Sequence, residues 1–191
     1  MFMLYALAVG VILGKLTGGS LANLGQLHIR WAALAVAGLL VQVVLFFGPV
    51  AESVGAWGAP IYIGSTALVL VAVVRNLLAI PALALVAIGA VSNLAAIMAN
   101  GGQMPASPGA MAVLGKTVPA GYSNSAVVGA PALEPLTDVF AMPPFLPFAN
   151  VFSIGDILIG VGVAIVIVTA MRHGASGNLP RTYARPSTSG S

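Results

Sequence analysis

Five polar residues stand within or at the rims of long apolar runs: Gln42, Asn93, Asn100, Ser153 and Asp156. Polar groups in hydrocarbon need partners, so residues of these types mark ligand or ion sites, proton relays, or hydrogen bonds that join helices. If the five converge at one depth, they form an outward-facing pocket for a small polar molecule, or for a lipid or quinone headgroup. If they pair among themselves they are interhelical contacts, each worth roughly 0.6–2 kcal/mol. Asp156 has a local reading as well. In Phe152-Ser153-Ile154-Gly155-Asp156-Ile157, Ser153 fits a helix N-cap, Asp156 is its reciprocal partner three residues on, and Phe152 with Ile157 forms the flanking staple. An acid there also faces the positive end of the helix dipole.

Other chemistries are poorly supplied. Cysteine is absent, which excludes thiolate catalysis, disulfides and cysteine-ligated metals. The two histidines, His28 and His173, fall at one edge of the apolar runs, and the four acids, Glu52, Glu134, Asp138 and Asp156, fall at the other. A histidine–carboxylate dyad and a metal centre are therefore not expected. An intramembrane aspartyl protease would need a second acid at the depth of Asp156, and none is expected there. The sequence predicts no enzyme and no cofactor.

The elements that position these residues follow from composition. Of 191 residues, 59% are hydrophobic and 6% charged, with a mean hydropathy of +1.05. Soluble domains carry about 25% charged residues, so lipid must cover much of this chain. The net charge of +3 is spread singly at the ends of apolar runs, so no nucleic-acid partner is expected.

An all-α membrane protein with five transmembrane helices is predicted, over residues 2–14, 31–48, 57–74, 77–99 and 153–171. The first run lacks the preceding positive charge of a signal peptide and has Lys15 directly after it, which favours a retained helix. With the N-terminus outside, Lys15, Arg30, Arg75, Arg172, Arg181 and Arg185 are cytoplasmic, and only Lys116 and the four acids are external. Residues 1–173 then form a single transmembrane domain, and 174–191 a disordered cytoplasmic tail rich in Gly, Ser, Thr and Pro. Leu21, Leu24 and Leu27, with Ser20 as a cap, predict a short helix on the cytoplasmic surface that ends at Trp31 in the interfacial belt. Ala6, Gly10 and Gly14 form one small-residue stripe, and Gly160 with Ala164 another. Both suit close packing inside the bundle or docking to a membrane partner subunit.

The outer connection, 100–152, keeps apolar residues such as Met104, Met111, Tyr122 and Phe140 despite its prolines, so a structured lid is expected rather than a linker. Ser107-Pro108 should open a short helix that Gly115 closes. The run Met142-Pro143-Pro144-Phe145-Leu146-Pro147 should be an extended strap that closes over Gln42 and Asn93.

Two motifs in and beside this connection carry a resemblance. The segment Asn93–Pro105, with Asn100-Gly101-Gly102-Gln103-Met104-Pro105 and then Ser107-Pro108, resembles one part of an uncharacterised bacterial integral membrane protein family catalogued as a domain of unknown function. Asn150-Val151-Phe152-Ser153-Ile154-Gly155-Asp156 is similar to its second motif, and the opening Met-Phe-Met-Leu-Tyr-Ala-Leu with the later Gly-Gly-Ser-Leu is similar too. The resemblance implies a multi-pass protein of the bacterial inner membrane, and brings no activity or catalytic residue. The expected function is a non-enzymatic accessory or structural membrane component that binds a lipid-like or small polar ligand at its outer face. The alternative is a small transporter or channel component using the outer polar cluster.

Overall fold

The structure is a computed structural model that describes residues 2–115 and 125–172. Lys116, Tyr122, His173, Arg181, Arg185 and the tail predicted to be disordered lie outside the described residues. Among those described, eight α-helices, two 3-10 turns and two short two-stranded sheets account for the regular structure, with no closed sheet.

The helices are α1 (Phe2–Leu16), α2 (Leu21–Leu24), α3 (Ala32–Leu45), α4 (Gly48–Ser53), α5 (Gly58–Arg75), α6 (Leu83–Ala99), α7 (Pro108–Leu114) and α8 (Ile154–Arg172). The five longer ones pack side by side in the order α3–α5–α6–α8–α1. Pairings along the seams fix their directions. Gly38 on α3 meets Ser65 on α5, and Arg30 meets Asn76, so that pair is antiparallel. Gly89 on α6 meets Gly155 on α8 while Val86 meets Gly162, also antiparallel. Gly10 on α1 meets Ala164 and Gly14 meets Met171, so α1 and α8 run parallel. As a result Lys15, Arg30, Arg75 and Arg172 lie at one end of the stack, and all four acids at the other.

Two helices are long and apolar enough to cross a membrane: α8, with 19 residues, and α5 together with the 3-10 turn Gly55–Trp57, with 21. At about 1.5 Å per residue they reach roughly 28 and 31 Å, against a hydrocarbon core of about 30 Å. The other three long helices are apolar but shorter. Two departures from the predicted boundaries explain this. The second run was expected to be helical through residue 48, but α3 stops at Leu45. Phe46 and Phe47 turn the chain, and Pro49 opens a separate helix, α4, because proline restricts the residue before it and suits a helix start. The fourth run was expected from Leu77, but Pro81 breaks it, and α6 begins at Leu83 after successive turns. By contrast, Gly64-Ser65-Thr66 does not interrupt α5. The hydroxyls of Ser65 and Thr66 donate back to the Tyr62 carbonyl at 2.8 and 2.9 Å, so neither is left unpaired on an apolar surface.

The charged end is closed by short-range caps. Ser20 accepts from the Ala22 N–H, as expected for α2. The Ser20 N–H and the Asn23 side chain both donate to the Met171 carbonyl, at 2.9 and 2.7 Å, partnering the end of α8. Asn76, fully buried, donates to the Arg30 carbonyl and accepts from its N–H, each at 2.8 Å. Trp31, in left-handed backbone geometry, lies beneath the Arg75 guanidinium.

At the other end the described parts of the outer connection, 100–115 and 125–152, are folded. β1 (Met104–Ala106) pairs in parallel with β2 (Ser125–Val127), and Asp138 bridges to Ala106. β3 (Phe140–Ala141) pairs antiparallel with β4 (Val151–Phe152), which leads directly into α8. Met104, Ala106, Ala110, Met142, Ala149 and Val151 are buried within this connection. The helix α7 starts at Pro108 and ends in the left-handed Gly115, as predicted, although Ser107 makes no side-chain capping bond. The proline strap differs from the expectation. It forms two successive turns, Pro143 to Leu146 and Leu146 to Ala149, and accepts a 2.7 Å bond from the Tyr5 hydroxyl of α1 at Pro147. It therefore lies over α1, at the opposite end of the helix row from Gln42. Successive φ angles fixed by proline favour turns here, and stacking of Phe2 on Phe152 at 4.7 Å draws the segment towards α1.

The two small-residue stripes face each other across the α1–α8 seam, with Ala6 against Gly160 and Gly10 against Ala164. Packing this close leaves no room for added atoms at the central glycines. Gly155→Ala places a methyl group onto the Asn93 side chain and should cost about 1–3 kcal/mol. Gly64→Ala meets nothing within 4 Å and should be neutral or stabilising by up to about 1 kcal/mol. Reversible unfolding in mixed micelles separates the two.

Candidate functional site

The outer ends of α6 and α8 hold the densest polar cluster. Ser153 precedes α8 and is fully buried. Its hydroxyl accepts from the Asp156 N–H at 3.0 Å, and the Ser153 N–H donates to Asp156 Oδ2 at 3.1 Å. This is the reciprocal capping box that the sequence predicts. The structure adds a third member from across the seam. Asn93 Nδ2 donates to Asp156 Oδ1 at 2.9 Å, and the Ser153 hydroxyl donates to Asn93 Oδ1 at 2.8 Å. The ring is closed, and every side-chain oxygen in it is engaged. Gly89 and Gly155 make it possible, because only their bare backbones let α6 approach closely enough for Asn93 to span the gap.

The other two predicted site residues lie elsewhere. Asn100 donates to the Ala96 and Ala132 carbonyls, each at 2.8 Å, and accepts from the Ala132 N–H at 2.9 Å. It thus ties the outer segment to the end of α6. Next to it Gly101 and Gly102 take positive φ, and Gly102 donates back to Ile97 at 2.8 Å while its α-carbon faces Ala59. Glycine is required at both positions. Gln42 donates to Thr66 at 3.2 Å, joining α3 to α5. The five residues therefore form one trio and two separate interhelical or loop contacts rather than one convergent pocket.

Sequence reasoning missed one member of this region. Asp138 is 8% exposed and sits beside β1, where its N–H donates to Pro105 at 2.9 Å and its carbonyl accepts from Ser107 at 3.0 Å. Its backbone is paired, but among the described residues its carboxyl group has no hydrogen-bond donor. Burial, and then the nearby Asp156 carboxylate, raise it from 3.8 to about 7. No second acid was expected near Asp156, and Asp138 corrects that. A pairing between residues 106 and 138 brings it there, and no local pattern marks it. The only signal in the sequence was an acid followed directly by the apolar run Val139-Phe140-Ala141-Met142.

An apolar groove of about 320 Å³ opens at the same end of the stack, lined by Leu40, Val41, Val44 and Leu45 of α3, Val50 and Val54 at α4, and Ile61 of α5. It does not lie beneath the strap. No group of three or more potential metal-ligating side chains occurs among the described residues.

Residues 26–168 match a family of unknown function, DUF5317. The chain belongs to that family. The matched region spans α3 to most of α8 and contains the trio, the outer segment and the groove. No curated protein and no solved structure matches the chain.

The closed ring predicts strongly coupled substitutions. Ser153→Ala should cost about 1 kcal/mol through the lost cap, and Asn93→Ala about 1–3 kcal/mol by leaving buried partners unsatisfied. The double variant should cost less than the sum, by 0.5 kcal/mol or more on the order of such couplings. Additive losses in reversible unfolding would mean that the ring does not act as a unit.

Proposed function

We propose that this chain is a non-enzymatic, five-span protein of the bacterial inner membrane, N-terminus outside, that serves as an accessory or structural component and binds a lipid-like ligand at its outer face. The separation of charge carries the orientation. Lys15, Arg30, Arg75 and Arg172 share one end, as the cytoplasmic bias of basic residues requires. The lateral surface supports immersion in lipid, since Leu40, Val43, Val71 and Ile88 are among many large apolar side chains left exposed. The shorter helices α1, α3 and α6 cross with snorkelling by Lys15 and Arg30 and with local thinning of the bilayer.

The ligand reading rests on the groove. Its lining is aliphatic throughout, so it suits an acyl chain rather than a polar solute. The trio's side-chain oxygens are committed to one another, which favours a holding role there over capture of a polar molecule. The small-residue faces of α1 and α8 are used against each other, so a partner subunit would dock elsewhere.

The absence of native cysteine makes labelling clean. Ala130→Cys should react with a membrane-impermeant maleimide in intact cells, and His28→Cys only after permeabilisation. The reverse pattern would overturn the orientation. Native mass spectrometry of protein released from mild detergent should show one retained phospholipid, lost in Val44→Trp, which fills the groove. Wild-type protein that carries no lipid would defeat the ligand assignment.

A further inference from the structure

Asp138 lies buried beside β1, close enough to Asp156 at the start of α8 for the two carboxyl groups to interact, and the basic side chains of the described residues lie at the far end of the stack. The elements around Asp138 supply few ionisable groups. β1 is Met-Pro-Ala, β2 is Ser-Ala-Val and α7 has no charged residue. The turn Glu134–Leu136 contributes Glu134, which is exposed, and α8 contributes Asp156. The histidine and the arginines of the described residues lie at the far end of the stack. Lys116 lies outside the described residues.

The two carboxylates differ in their partners. Asp156 is held by the Asn93 amide and the Ser153 N–H. Asp138 is 8% exposed, has no donor to its carboxyl group among the described residues and lies near the Asp156 carboxylate. Two like charges in such a place are relieved by a proton on the less well solvated member.

We propose that Asp138 is a proton-binding site that couples the docking of the outer segment onto the α6–α8 seam to the pH of the medium. When Asp138 carries the proton, the strand contacts Ala106–Asp138 and Ser107–Asp138 hold the segment against the trio. When it loses the proton, repulsion from Asp156 and the cost of a largely desolvated charge work against the same contacts. The sign follows from linkage. Below pH 3.8 folded and unfolded chains both carry the proton. From there to about pH 7 only the folded chain keeps it, so stability falls as pH rises through that window and levels off above it. The orientation of the chain in the membrane does not enter this inference.

Two measurements on the full chain in detergent test it. Infrared difference spectra of the wild type should show a protonated-carboxyl band at pH 5.5 that disappears through neutral pH. This reading needs no variant to fold, and absence of any such band would overturn the site. Thermal melts should show a midpoint that falls between pH 5 and 8, and Asp138→Asn should flatten that slope and remove the band. A slope or band retained in Asp138→Asn would equally overturn it. Lys116→Gln should keep the wild-type pH midpoint, and a midpoint that moved would place the controlling charge in that segment instead.

Discussion

Two helix backbones meet at Gly89 and Gly155 with no side chain between them, and the outer half of the structure is organised around that approach. A methyl group at either glycine would separate α6 from α8 and move Asn93 out of reach of Ser153 and Asp156. The hydrogen-bonded ring in turn fixes where α8 begins. The start of α8 fixes β4, β4 holds β3, and the outer segment is fastened from both of its ends, by Asn100 at the entrance and Ser153 at the exit. Polar bonds between membrane helices are individually modest. Their effect here is positional, since they set one register for a seam whose apolar contacts alone would tolerate several.

The same economy appears at the opposite end. Asn76 holds both backbone groups of Arg30, and Asn23 with Ser20 completes the last turn of α8. Both clasps satisfy backbone groups at helix ends that would otherwise lack partners. A row of five helices with clasps at both ends has little need of a large buried core. Among the described residues, alanine supplies six of the thirteen buried apolar side chains: Ala51, Ala72, Ala96, Ala106, Ala110 and Ala149.

What was legible in the sequence was what depends on neighbours along the chain. The capping box at Ser153 and Asp156, the cap at Ser20, the helix opened by Pro108 and the separation of charge all follow from local spacing. The boundaries at Leu45 and Leu83 were misplaced because hydropathy was weighed above the proline that follows or precedes each of them. The convergence of Gln42 and Asn100 with the trio was expected from depth alone. Depth does not say which helices are neighbours, and α3 is two places removed from α6 in the row. The strap and Asp138 were unreadable for the same reason: Pro147 meets Tyr5 across 142 residues of chain, and Asp138 meets Ala106 through a single bridge. Such pairings leave no periodic trace.

The parallel seam of α1 and α8 has a consequence for biogenesis. α3 and α5 are linked by a short connection and pair locally, and α6 follows at once. The glycine face of α1 has no comparable partner until α8 has been synthesised, and the closing contacts Asn23–Met171 and Tyr5–Pro147 span 148 and 142 residues. During translation α1 therefore has no seam partner for its glycine face until α8 has been made. Of the five long helices, the one made earliest is thus packed by the one made latest.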